Sequence, residues 1–236
     1  MSSPSRVARA AGVLYLLMAI LGGYAHLGVR NTVYTPGDAA TTTANIVGNP
    51  TLFRVSLVAD LAMAILFVSV GVALHRLLRH VDLSAAGAMV LFVTVGAAMI
   101  VTNLLFHQAA LLVATDASVA TSLGVEAADA ITLFLLDLHQ VGYTLAGIFF
   151  GLWLLPLSYL AVRSRMFPRL LGVALGVAGV AWIVDTVVRF AAPELPGIFR
   201  VALEAPRFAE FALILYLLIR GVRTPAPAIT EPAVVA

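Results

Sequence analysis

The chain has 236 residues, of which 61% are hydrophobic and 11% charged, with a mean hydropathy of +1.03. A soluble domain carries charge on about a quarter of its residues, so there is too little polar surface here to cover a globule in water, and lipid is the better solvent. The net charge of +2 comes with no basic stripe, aromatic–basic alternation or zinc-finger spacing, which argues against nucleic acid as a partner; the lack of cysteine excludes disulfides, thiolate metal sites and thiol nucleophiles.

A bilayer core needs about 20 apolar residues per helix. Six segments reach that length, at roughly 9–29, 51–78, 85–114, 128–161, 169–191 and 201–220. Runs this apolar carry no helix or strand period, but an isolated strand would leave its backbone unpaired in lipid, so all six are predicted as helices. The first, "RVARAAGVLYLLMAILGGYAHLGVR", has the basic start of a secretory signal; its apolar run is long enough to span, so it reads as an uncleaved helix. The loop "TPGDAATTTANIVGNP" contains a Pro-Gly-Asp turn and a short helix capped by Asp38, and Asn49-Pro50 restarts the chain as the second span. "TDASVATSLGVEAADA" separates the third and fourth spans and "PELPGIFR" the fifth and sixth. The fold class predicted is an all-α polytopic membrane bundle of six transmembrane helices in one domain, residues 1–222, followed by a disordered Pro/Ala-rich tail, 223–236.

Every basic residue is arginine. Arg6, Arg9, Arg76, Arg79, Arg163, Arg165, Arg169, Arg220 and Arg223 fall on one side if both termini share it. Arg30 and Arg200 remain on the other, with Arg54, Arg189 and Arg207 inside or near span ends. The positive-inside rule then gives an N-in, C-in protein of the bacterial cytoplasmic membrane.

Ionisable groups inside a span are costly and mark function or a buried pair by default. The second span carries Arg54 and Asp60, the third Asn103, His107 and Gln108, the fourth Asp137, His139 and Gln140, the fifth Asp185 and Arg189, and the sixth Arg207 and Glu210. In the second, fourth and sixth spans they come early; in the third and fifth they come late. An alternating bundle therefore collects them all in the extracytoplasmic half, which predicts a polar chamber open toward or near the outer face. Helical spacing puts Asp137, Gln140 and Thr144 on one face of the fourth span and His139 with Tyr143 on the next. Arg54, Arg189 and Arg207 are the predicted partners of that stretch. Within the fifth span, Asp185 and Arg189 are spaced to pair. Plainer roles compete: a structural ion pair for Asp185 and Arg189, an interhelical hydrogen bond for Asn103, an interfacial place for His26. No HxxxH or HExxH spacing supports a metal, two histidines on different spans are weak support for haem, and no nucleotide-binding or hydrolase fingerprint is present.

The stretches "ARAAGVLYLL", "TPGDAATTTANI", "LFRVSLVADL", "LDLHQVGYTLAGIFFGLWLL" and "FPRLLGVALGVAGVAWIVD" together run from the first span through the fifth. In them the chain resembles the bacterial membrane proteins of the domain of unknown function 4386 family. That resemblance implies a multi-span membrane protein with Asp38, Arg54, Asp60, Asp137, His139, Tyr143 and Asp185 at the family's motif positions. It implies no reaction. Members often carry histidine after "FFGL", where this chain has Trp153.

The functional expectation is a site for a small or lipid-like molecule. Asp137 and His139 are its candidate acid–base residues. Arg54, Asp60, Asn103, His107, Gln140, Tyr143, Asp185, Arg189 and Glu210 are its candidate binding residues. The cofactor is unknown; the expected partners are the lipid bilayer and a small-molecule or lipid ligand, not nucleic acid, with protein partners unknown. A proton-coupled carrier using Asp60, Asp137 and Glu210 is the alternative, with a non-catalytic assembly subunit as a third.

Overall fold

A computed structural model describes residues 3–223; the predicted tail lies outside the described residues from Thr224 onward. Among the described residues every regular element is helical. Helix α1 (Pro4–Gly23) starts with proline in its first turn, where the missing N–H costs nothing. It runs on through a seven-residue π-helical stretch, Tyr24–Arg30, into the short α2 (Asn31–Val33). A π turn is wider than an α turn and shifts the side-chain register; here it buries Ala25, Val29 and Arg30.

Helix α3 (Ala39–Gly48) is the predicted loop helix, and Asp38 caps it by accepting from the Thr41 backbone N–H at 2.9 Å. The second and third spans are α4 (Pro50–Leu78) and α5 (Leu83–Thr115), joined by a tight turn in which Asp82 caps α5. The 33 residues of α5 extend about 50 Å at 1.5 Å per residue, well beyond a hydrocarbon core of about 30 Å. Helix α6 (Ala117–Leu123) lies in the connection between the third and fourth spans. The fourth span is divided at Trp153 into α7 (Val125–Leu152) and α8 (Leu154–Ser164). Pro156 explains the break: it has no N–H to give to Leu152 four residues earlier, and its ring crowds that carbonyl. Helix α9 (Arg169–Ala191) is the fifth span.

Among the described residues five helices are thus long and apolar enough to cross a membrane, Pro4–Val33, Pro50–Leu78, Leu83–Thr115, Val125–Ser164 and Arg169–Ala191. The sixth predicted segment is not one helix. It comprises α10 (Gly197–Glu204), a 3-10 turn at Ala205–Arg207 and α11 (Phe208–Ile219). Pro206, in mid-segment, interrupts the α-helical ladder.

The main core packs α1, α4, α5, α8, α9 and α11 around Trp153, Phe67, Leu74, Leu154, Leu157 and Leu160, all essentially inaccessible. Glycine brings α7 and α9 into backbone contact: a Cβ on Gly151 would sit 2.5 Å from the Gly179 carbonyl oxygen, and one on Gly179 2.8 Å from that of Gly151. A smaller core of Val29, Val33, Ile46, Phe53, Ala110, Leu111 and Leu136 lies at the other end of the bundle, where α3 covers α5 and α7. At the first end the Arg223 backbone N–H donates to the Met166 carbonyl at 3.0 Å, and Gly221 lies against Ser5. Both ends of the described chain therefore meet at the same end of the bundle.

Candidate functional site

The polar residues of the spans form two networks, the first at the end opposite Ser5 and Gly221, the second reaching to mid-bundle, where Tyr15 touches Trp153. The first is centred on Arg30. The π turn buries its guanidinium, which is 3% exposed, and Nη1 donates to Asp60 Oδ2 on α4. Nε donates to His26 Nδ1 at 3.4 Å, one helical turn earlier. The guanidinium also lies 5.4 Å from the ring centre of Tyr143, on which the His26 ring stacks at 5.1 Å. Helices α1, α4 and α7 are thereby tied together through one cation.

Asn103, His107 and His139 extend this network. Asn103 Nδ2 donates to the His139 carbonyl at 2.8 Å and lies 3.2 Å from His139 Nδ1, which is also 3.1 Å from the Asn103 carbonyl. His107 stacks on Phe53 at 3.8 Å between ring centres, and its Nε2 is 3.1 Å from the Phe53 carbonyl. A carbonyl only accepts, so this contact puts the proton on Nε2 and leaves Nδ1 as a lone pair. The rings of His107 and His139 meet edge to face at 5.5 Å. A cavity of about 10 Å³, the size that admits one water molecule, is lined by Arg30, Tyr34, Phe53, His139 and Gln140 among others. In the same network, Asp60 Oδ1, Asn103 Oδ1, His107 Nδ1 and His139 Nε2 are buried without a hydrogen-bond partner.

The second network joins α9 to the broken last segment. Asp185 Oδ2 accepts from Arg189 Nε at 3.0 Å, the predicted pair, and also from Arg207 in the 3-10 turn. Arg207 lies over the Trp182 ring, 3.6 Å from its centre. Trp182 Nε1 donates to Glu210 Oε1 at 3.0 Å, and the Tyr15 hydroxyl of α1 donates to Glu210 Oε2. Phe150 bridges the networks, with its ring centre 6.0 Å from that of Tyr143 and 5.4 Å from that of Trp182.

Placement differs from the sequence reading in several respects. Asp60, Asn103, His107, His139, Gln140 and Tyr143 share the first network; Asp185, Arg189 and Glu210 belong to the second. Asp137 is half-buried and accepts from the Tyr34 hydroxyl at 2.5 Å, while His139 faces Asn103. None of the arginines expected to partner Asp137 does so: Arg54 is exposed at the start of α4, and Arg189 and Arg207 both turn to Asp185. Arg54 therefore joins neither network. Helix α3 covers this end, packed on α5 and α7. It seats Ile46 and Thr42 in the interior, and Asn45 Nδ2 donates to the Val33 carbonyl at 3.2 Å. Trp153 is a core residue, edge-on to Tyr15 and Phe67.

Sequence reasoning missed Arg30, His26, Tyr34 and Tyr15. The signal for the first two was present: His26 and Arg30 are four apart, on one helical face, at the end of a span. Among the described residues no group of three or more histidine, aspartate or glutamate side chains could hold a metal ion.

These features define a polytopic helical membrane protein with an intramembrane polar cluster. The chain belongs to the family described as Domain of unknown function (DUF4386), whose model matches residues 10–221. No curated protein and no solved structure matches it.

Proposed function

We propose that the cluster around Arg30 and His139 is a binding or catalytic site for a small or lipid-like molecule, held in the extracytoplasmic half of a bacterial cytoplasmic membrane. One observation carries this reading. Four buried polar atoms without partners, Asp60 Oδ1, Asn103 Oδ1, His107 Nδ1 and His139 Nε2, belong to residues that line one cavity or touch those that do. Each such atom costs on the order of 1–3 kcal/mol, and hydrocarbon offers it nothing. Such atoms call for a partner from outside the chain, a water in the one-water cavity or the polar group of a ligand that displaces it. Residues lining the cavity include Arg30, Tyr34, His139 and Gln140, side chains whose polar groups can take a hydroxyl, carbonyl or carboxylate.

The same reading takes α10 and α11 as a broken sixth crossing with both termini cytoplasmic. Gly221 against Ser5 supports an even number of crossings, and the arginines at that end of the bundle support its being inside. The carrier alternative is less well supported. Its three carboxylates have separate partners: Arg30 for Asp60, Tyr34 for Asp137, Tyr15 and Trp182 for Glu210.

Native mass spectrometry with metal analysis, on detergent-purified protein, tests the proposal. A retained small molecule is expected in the parent protein and its loss in His139→Ala and Asp137→Ala, with both variants still folded and inserted. Retention of the molecule by both variants overturns the site; unfolding of both assigns the cluster to structure.

A further inference from the structure

The contact between α5 and α7 is closest at Gly142, where an added Cβ would overlap the Asn103 carboxamide. Beside this contact lies a groove of about 450 Å³, within the range of small-molecule sites. Thr94, Ala98, Met99, Thr102 and Phe106 form its walls, and Asn103 and Gly142 also line it. From Thr94 to Phe106 it follows about 18 Å of helix at 1.5 Å per residue, within a span of membrane character. Its walls therefore face acyl chains.

The residue between the groove and the buried network is Asn103, which is 5% exposed. Its Nδ2 holds His139, whereas Oδ1 rests against Gly142 with no donor. An apolar trough flanked by an unpaired, buried acceptor that packs against Gly142 suits one kind of occupant. It is not a second copy of this chain, because a helix face set into the trough would bring an apolar surface to that acceptor and leave it unpaired.

We propose that the groove takes the hydrocarbon chain of a membrane amphiphile whose head carries a hydroxyl or N–H donor, and presents that head laterally to Asn103 Oδ1. The inference rests on the reading of the Arg30–His139 cluster as a binding site and adds the class of ligand and its route of entry. Rotation of one carboxamide opens the wall between groove and His139, so the ligand reaches the polar end from the bilayer while α3 stays closed.

The test uses the full chain in phosphatidylcholine liposomes containing a long-chain primary alcohol with a diazirine in its tail. Adducts are mapped by mass spectrometry after photolysis. Adducts are expected to concentrate on Ala98, Met99, Thr102 and Phe106, and to fall at least fivefold in Ala98→Trp, which fills the groove from an exposed position. Thr102→Phe serves the same purpose if Ala98→Trp does not fold. Leu105→Trp, exposed on the same helix but away from the groove, should leave labelling unchanged. Two results overturn the proposal: equal labelling by the matching diazirine alkane, or even labelling of exposed Leu91, Val101 and Leu105. If the groove fails while the purified protein still loses its bound molecule in His139→Ala, only the lateral route is lost. If groove labelling persists while no molecule depends on His139, the deep site is lost and the groove stands alone.

Discussion

The two ends of this bundle are built from the same helices and held by different forces. At the end where Ser5 meets Gly221, Trp153, Leu154, Leu157 and Leu160 are fully buried, and Gly151 and Gly179 let two backbones touch. Lipid tails are as apolar as leucine, so that end coheres through close packing rather than through water exclusion. At the other end Arg30, Asp60, His107, His139 and Asp185 are buried in an equally apolar setting. Cohesion there comes from charge pairs and hydrogen bonds, which are strong in a low dielectric and incomplete by four atoms in the Arg30 network. An interior fastened by packing alone has little reason to bind anything. One fastened by directional bonds, with some left open, can exchange internal partners for a ligand.

The largest effect that would break this contrast is at Asp60. Asp60→Ala leaves the Arg30 guanidinium buried with no counter-charge, and removal of one member of a buried pair costs about 3–5 kcal/mol. The expected outcome is loss of monodisperse protein, or a large fall in the detergent unfolding temperature. The paired replacement Arg30→Met with Asp60→Leu removes both charges and should recover most of that loss, while abolishing retention of any bound molecule. If Asp60→Ala unfolds no earlier than the parent protein, Arg30 reaches water and the end is wet. At the packed end the corresponding change is Gly151→Ala. Its methyl would meet the Gly179 carbonyl at 2.5 Å, and overpacking of this kind costs about 1–3 kcal/mol. Gly23→Ala, with open space around the new Cβ, should show no such loss in the same unfolding measurement. Equal behaviour of the two alanines would mean that α7 and α9 do not depend on backbone contact.

Much of the fold was legible because the governing quantity is length. A run of 20 apolar residues has one solution in lipid, and five of the six predicted segments are helices of spanning length. The sixth was misread as unbroken because hydropathy averages over Pro206, whose effect is local to the backbone. Asp38 and Pro50 announced their helix starts through chemistry that acts within three residues. The gathering of polar residues could also be anticipated, since it follows from counting depth along alternating spans. Their partners could not. Arg30 reaches Asp60 because a π turn rotates it inward, and no periodicity rule forecasts a π turn. Tyr34 reaches Asp137 across 103 residues because the segment between α2 and α3, tied to α3 through Thr35 and Thr42, lies against α7. Such pairings depend on where helices sit relative to one another, and a single sequence does not encode that in its spacing.

The smallest expected effect lies at the packed end, in the turn between α4 and α5. Asp82 Oδ1 accepts from the Ala85 backbone N–H at 2.9 Å, and Oδ2 from the Tyr159 hydroxyl at 3.3 Å. The Ala85 N–H foremost, then Tyr159, the Ser84 backbone and Arg163, outweigh slight desolvation and hold the carboxyl below its ordinary 3.8. A depressed folded-state pKa contributes stability that is present above the unfolded value and lost as pH falls through the folded one. Acidification from about pH 5 to below 3.8 should therefore loosen this turn, read as faster amide exchange at Ala85 and Ala86. Asp82→Asn keeps a capping oxygen without a titrating proton, so exchange at those amides should become insensitive to pH beyond its intrinsic dependence. Amides in the polar end should not follow the same curve, because Asp82 bonds to α5 and Tyr159 at the opposite end of the bundle. If they did, the two ends would be coupled through the long rod of α5, and the division between a packed half and a bonded half would describe composition without describing mechanics.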